Sequence, residues 1–223
     1  MTHETRRMRR SLFGARSRVY AFLSALGRLR VTPRYRGPRW SSAIILLLFG
    51  IELATGILLS LYYYPEPDGA YETLRFLQGT VSGGWLMRSA HAWAGELLLV
   101  AVLAHLGCVY FRRAYAHPRE YEWVVGGLLL LATLAFRFTG RLLPWDEFGF
   151  QSARAGLDLL RSVPVLGPLL STWLRGGDDM GANTLSRFFT THVLILPWFV
   201  AVATAVHFYL VRRHGLSGAE EGA

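Results

Sequence analysis

The chain has 223 residues, 52% of them hydrophobic, and a formal net charge of +9. That length allows one domain or two small ones. The hydrophobic share exceeds the roughly 45–50% of ordinary soluble proteins, although 24 residues are basic, so apolar and basic residues must be segregated along the chain. This excludes disorder and argues against a soluble enzyme. Every basic residue is arginine and Cys108 is the lone cysteine, which excludes an intrachain disulfide framework, a Cys-rich metal centre, a Schiff-base lysine and a phosphate-binding lysine loop.

Residues 1–39 form a basic arm holding eleven of the arginines. Within it, residues 12–31 interleave Leu12, Phe13, Val19, Phe22, Leu23 and Leu26 with arginine, the pattern of an amphipathic helix on a membrane surface. A nucleic-acid role would need a soluble reading domain behind the arm, and none follows. A cleavable signal peptide is not expected, since no long apolar core and cleavage site follow the first arginines. The predicted fold is an all-α membrane protein: a four-helix transmembrane bundle over 40–211, with spans near 40–64, 85–111, 122–143 and 187–211, and a tail over 212–223. Each span meets the length of about 20 residues needed to cross a bilayer. Pro65, Pro67 and Gly69 end the first span and Pro144 the third. The loop between the third and fourth spans, 144–186, is expected to form short surface helices. Arginine concentrates in the arm, in the loop holding Arg112, Arg113 and Arg119, and at Arg212 and Arg213. The positive-inside rule therefore places both termini and the 112–121 loop in the cytoplasm.

Four of the seven histidines lie inside spans: His91 and His105 in the second, His192 and His207 in the fourth. Polar groups in spans are expensive and mark function. The second and fourth spans run in the same direction, because one complete span separates them. Fourteen residues separate the first pair and fifteen the second, about 21 and 22 Å of helix rise, returning to within roughly 40° and 60° of the same face. His91 thus comes level with His192 near one membrane surface, and His105 with His207 near the other. Two facing imidazoles make the axial pair of a flat haem held between helices. Zinc fits poorly, because no carboxylate or thiolate pair completes a tetrahedron. A haem also needs close backbone approach and partners for its propionates. Ser42 and Gly56 in the first span, and Gly126 and Gly140 in the third, repeat the fourteen-residue spacing, although small residues also serve plain helix packing. Arg88, Arg187, Arg112 and Arg212 flank the four histidines within seven residues. Snorkelling at the interface would equally explain them. Glu52 and Glu96 lie within spans and could relay protons or bond a neighbouring helix. Cys108 is expected to be a small packed residue.

The chain resembles the N-terminal haem-binding half of cytochrome b, most of all its b6 form, over about residues 17–218. The matching strings are Gly-Trp-Leu-Met-Arg-Ser-Ala-His (84–91), Pro-Arg-Glu (118–120), Thr-Gly-Arg-Leu-Leu-Pro-Trp-Asp (139–146), Thr-Leu-Ser-Arg-Phe-Phe-Thr-Thr-His (184–192), Leu-Pro-Trp (196–198) and His-Gly-Leu-Ser-Gly (214–218). The resemblance implies a subunit of a bacterial quinol:cytochrome c oxidoreductase in the cytoplasmic membrane. It also implies two non-covalent b-type haems, His91 and His192 holding the positive-side one and His105 and His207 the negative-side one, with quinol and quinone as substrates. Its implied partners are a subunit IV-like chain carrying the C-terminal half, a Rieske iron–sulfur protein, a c-type cytochrome and a second copy of the complex. The segment Gly140–Asp146, with Leu143, Pro144 and Trp145, would wall the quinol-oxidation site, and Arg212 would lie near the quinone-reduction site. Three departures matter. Cys108 replaces the family's arginine after the second ligand, leaving that propionate to Arg112 or Arg113. Trp40 stands where photosynthetic b6 carries the cysteine of an extra haem, so no thioether-linked third haem is expected. The chain lacks the Pro-Glu-Trp-Tyr-type motif of the C-terminal half, so it is not expected to oxidise quinol alone. Two other readings remain open at this point: a dihaem anchor of another dehydrogenase or hydrogenase, and a haem-free transporter with a histidine-lined path.

Overall fold

The computed structural model describes residues 38–217, and the segment 12–31 lies outside them. Among the described residues the secondary structure is entirely helical: α1 (Pro38–Ser60), α2 (Pro67–Thr80), α3 (Gly84–Phe111), α4 (Glu120–Leu142), α5 (Glu147–Arg161), α6 (Leu166–Arg175), α7 (Ala182–Thr190), a π-helical turn (Thr191–Ile195) and α8 (Leu196–Ser217). Four stretches are long and apolar enough to cross a membrane: Ser41–Ser60, Gly84–Phe111, Glu120–Leu142 and Ala182–Arg213. The last joins α7, the π turn and α8 into one rod.

The bundle is built by neighbours in sequence. Helix α1 packs chiefly on α3, α3 on α4, and α4 on α8. Outward positions such as Leu47, Val100, Leu131 and Val202 are more than 60% exposed. Large apolar side chains facing outwards along all four rods are what a lipid solvent stabilises.

The tightest core sits at one end of the bundle rather than at mid-span. Leu142, Ala153, Leu157, Leu174, Leu185 and Phe188 bury one another with Ala70. It forms because α5, α6 and α7 fold back over the end of α4. Asp146 starts this cap, its side chain accepting from Gly149 N at 2.7 Å at the N-terminus of α5, a bond that satisfies one of the orphan amides there. Helix α2 lies in what the sequence presents as a loop. It starts at a proline, which suits a first turn, and buries Ala70, Leu74 and Leu77 at i, i+4 and i+7. Its corner with α3 requires glycine twice. Gly83 has φ +76°, and a Cβ on Gly84 would lie 2.0 Å from the Leu77 carbonyl oxygen.

The π turn has a local cause. Pro197 has no N–H to give to the carbonyl of Val193, so the α-helical ladder is interrupted there. A π turn accommodates one extra residue. It therefore offsets the one-residue difference between the His192–His207 and His91–His105 spacings.

Candidate functional site: a paired-imidazole centre

On the side capped by α5–α7, the bundle forms an open-sided cavity of about 300 Å³ lined by His91 and His192 and by residues of α1, α3, α4 and the π turn. The ring centres of His91 and His192 are 6.2 Å apart, with planes at 71°. Two imidazoles bound through nitrogen on opposite sides of one metal, at about 2 Å per bond, hold their ring centres roughly 6 Å apart.

Hydrogen bonds fix which nitrogen is free. His91 Nδ1 is 2.9 Å from Thr55 Oγ1, and His192 Nδ1 is 3.0 Å from Thr139 Oγ1. Each threonine hydroxyl donates its proton to its own helix, Thr55 to the Ile51 carbonyl at 2.6 Å and Thr139 to the Ala135 carbonyl at 2.8 Å. Toward the imidazoles they therefore act as acceptors, so the ring proton sits on Nδ1 and the lone pair on Nε2. Orientation by such a partner is what a ligating histidine requires. Phe136 meets the His192 ring edge-on at 5.3 Å.

The walls are glycine where a side chain would collide. A Cβ on Gly140 would lie 2.7 Å from His192 Cε1, and one on Gly56 would lie 3.3 Å from His91 Cε1. Both glycines line the cavity. Toward the other end of the bundle, His105 Nδ1 is 2.8 Å from Ser41 Oγ. A Cβ on Gly126 would lie 3.5 Å from Leu106 Cδ2 and 4.0 Å from His207 Cε1. His105 and His207 lie within electrostatic reach of one another. Among the described residues, no group of three or more His, Cys, Asp and Glu side chains converges as a metal site, so each histidine set remains a pair. Two nitrogen donors and a flat apolar slot suit an iron porphyrin, which brings its own four equatorial ligands.

The arginines divide. Arg88 lines the cavity and donates to Gln78 Oε1. Arg187 instead donates to the Trp173 carbonyl at the end of α6. Arg112, Arg113 and Arg212 are exposed at the ends of α3 and α8. Arg141, from the segment expected to wall a quinone site, and Arg137, which the sequence did not single out, line the cavity. Arg141 also sits 4.1 Å over the Phe148 ring, and Arg137 pairs with Glu96 at 2.5 Å. Glu52 bonds its neighbouring helix, its Oε2 lying 3.1 Å from His91 Nδ1. Both span glutamates thus have partners across a helix pair. Cys108 is exposed rather than packed. Of the segment expected to wall a quinone site, Gly140, Leu143 and Pro144 line the cavity. Leu143 also accepts from Tyr63 Oη at 2.5 Å, and burial pushes the Tyr63 phenol pKa above its ordinary value. Trp145 packs toward the cap, and Asp146 serves as the α5 cap.

A family profile described as cytochrome b/b6/petB matches residues 39–215. Cytochrome b6 of Prochlorothrix hollandica is 36% identical over 175 residues, covering 78% of this chain and 79% of its own. Cytochrome b6 of Mastigocladus laminosus is 35% identical over 193 residues, covering 84% and 90%. A chain of a solved structure titled hyperthermophilic respiratory complex III superposes with a TM-score of 0.78 at 27% identity, over 91% of this chain and 54% of its own length. This chain thus spans about half of that one. With a profile matching most of the chain and relatives above 30% identity, the protein belongs to the cytochrome b/b6 family.

Proposed function

We propose that the chain is the dihaem b-type cytochrome subunit of a quinol:cytochrome c oxidoreductase in a bacterial cytoplasmic membrane, with both termini on the cytoplasmic side. His91 and His192 hold the positive-side haem, and His105 and His207 the negative-side haem. The observation that carries this reading is the 6.2 Å ring separation of His91 and His192, with both Nδ1 atoms taken by threonine hydroxyls and glycine on the adjoining walls. The even arginine bias of the termini and the 112–121 loop supports the orientation.

A haem held by each histidine pair, His91 with His192 and His105 with His207, would supply a one-electron carrier at each membrane face rather than activate oxygen. The protein's part is to hold and orient. Thr55 and Thr139 fix the tautomer of the positive-side ligands, and Ser41 lies against His105 in the same way. Gly56, Gly140 and Gly126, with Ser42, keep the macrocycle walls thin. Arg88 and Arg141 stand at the cavity edge as cations for propionates. Arg112 or Arg113 takes that role on the other side. Electrons cross from a quinol-oxidation site walled in part by Gly140, Leu143 and Pro144 to a quinone-reduction site near Arg212, coupled to proton translocation. The two haems are held non-covalently, and no thioether-linked third haem is present.

The partners are a subunit IV-like chain, a Rieske protein, a c-type cytochrome and a second copy of the complex. Quinol turnover requires them, and the isolated chain is inactive. Purification from native membranes tests the assignment. Recovery with a Rieske protein and a subunit IV-like chain, and quinol:cytochrome c reductase activity in that fraction, is the expected result. Recovery with a hydrogenase or dehydrogenase module instead would replace the assignment with that of a dihaem anchor.

A further inference from the structure

The four imidazoles do not have equal partners. His105 and His192 each have one hydroxyl at Nδ1, at 2.8 and 3.0 Å. His91 has two oxygens there, Thr55 Oγ1 at 2.9 Å and Glu52 Oε2 at 3.1 Å. His207 has no hydroxyl at its buried Nδ1 and lies against the backbone and carboxyl of Glu122 instead. The hydroxyls follow the fourteen-residue step, Ser41 to Thr55 on α1, and the equivalent step back from Thr139 on α4 arrives at Val125.

Glu52 stands out because its position is costly. It lies inside an apolar span, its Oε1 is buried without a hydrogen-bond partner, and its carboxyl packs beside Gly95, one turn after His91. Both this carboxyl and His91 line the same cavity. An acid held in lipid surroundings with one oxygen idle and the other on an imidazole is not explained by helix packing, which a leucine would serve better.

We propose that Glu52 is a positioning residue that lowers the reduction potential of the positive-side haem through His91. This rests on the dihaem reading above. The physical basis is electron donation. An acceptor on Nδ1–H gives the imidazole partial imidazolate character and makes Nε2 a stronger donor. A stronger donor favours the oxidised iron. The carboxyl oxygen at His91 Nδ1, added to the Thr55 hydroxyl, therefore holds the potential of the positive-side haem below the value that Thr55 alone would give.

The test is a potentiometric titration of the purified complex, with the haem count taken on the same samples. Wild type, Glu52→Gln and Glu52→Leu are compared, and the positive-side component is identified as the one absent from His91→Leu. At a fixed potential, Glu52→Leu lowers the oxidised-to-reduced ratio of the positive-side haem about tenfold, equivalent to about 59 mV for one electron. The negative-side haem stays where it was. Glu52→Gln keeps an acceptor oxygen of the same shape and shifts the same component in the same direction by less, about threefold. Unmoved potentials in both variants, equal movement of both haems, or an unmoved Glu52→Gln beside an unassembled Glu52→Leu overturns the inference alone. Fewer than two haems per wild-type chain overturns the dihaem reading and this inference with it.

Discussion

Gly140 offers the sharpest test of the haem slot. An alanine there places a Cβ 2.7 Å from His192 Cε1, 3.3 Å from Nδ1 and 3.4 Å from Nε2. The imidazole must retreat by several tenths of an ångström, and it cannot do so freely. Thr139 holds its Nδ1 from the preceding residue of the same helix, and Phe136 closes its edge. Overpacking of this kind costs about 1–3 kcal/mol, which is roughly 5- to 150-fold in affinity for a ligand at the site. The same substitution elsewhere in the fourteen-residue series is graded. At Gly56 the new methyl meets His91 at 3.3 Å, and at Gly126 it finds only ordinary contacts of 3.5 and 4.0 Å. Haem retention through a detergent wash, read by pyridine haemochrome, should therefore fall in the order Gly140→Ala, Gly56→Ala, Gly126→Ala, with the last close to wild type. Each loss should be confined to one of the two spectral components in the first two variants. Equal losses in all three, or a normal Gly140→Ala, would refute the argument that the glycines exist to keep Cβ atoms off the ligand rings.

Thr139→Val removes the hydroxyl acceptor from His192 Nδ1 and leaves the ring only the Phe136 carbonyl, at about 1 kcal/mol; the positive-side haem should be lost at lower denaturant, while Thr139→Ser keeps it. Glu96→Gln leaves the half-exposed Arg137 without its charge partner, which should lower the stability of the complex by about 1 kcal/mol at most. The double variant Glu96→Leu/Arg137→Leu should recover most of that in the same thermal-denaturation assay, and no recovery would remove the ion pair as the cause. Tyr63→Phe deletes the donor to the Leu143 carbonyl and should cost about 1 kcal/mol. Because burial holds that phenol above its ordinary pKa, it stays protonated in the folded chain after the unfolded one ionises, so its contribution is constant below the ordinary tyrosine pKa and declines only above it. A thermal midpoint difference between wild type and Tyr63→Phe that changes between neutral pH and pH about 9 would contradict this.

Much of this architecture was legible because a bilayer imposes a simple rule on sequence. Apolar runs near the required length, interrupted by proline and flanked by arginine, gave four spans, and the pairing of histidines followed from helix rise and direction. Gly56 and Gly140 were legible as companions of that spacing. The hydroxyls were not. Thr55 and Thr139 read as ordinary small residues in a helix, and only their contact with the imidazoles distinguishes them, although each immediately precedes a wall glycine. Ser42 was expected on a wall, and its neighbour Ser41 carries the bond to His105. Helix α2 was hidden by its prolines and charges, which read as a turn, even though Ala70, Leu74 and Leu77 already had helical spacing. The π turn has a visible cause in Pro197 but no sequence pattern that predicts how the helix accommodates it. Arg187 was expected near a propionate because it precedes His192 closely. A residue five positions before a ligand can equally point along the axis, and here it ends on the Trp173 carbonyl. Arg141 reaches the cavity from a helix that carries no ligand, which spacing from the histidines could not indicate.

The central claim is that two pairs of opposed imidazoles each hold one iron porphyrin. Pyridine haemochrome analysis of the purified complex, normalised to this polypeptide and combined with a reduced-minus-oxidised spectrum, tests it most directly. Two non-covalent b-type haems per chain, both low-spin and six-coordinate, are expected, with His91→Leu and His105→Leu each removing a different one. A single haem, none, or a high-spin five-coordinate centre would contradict the account.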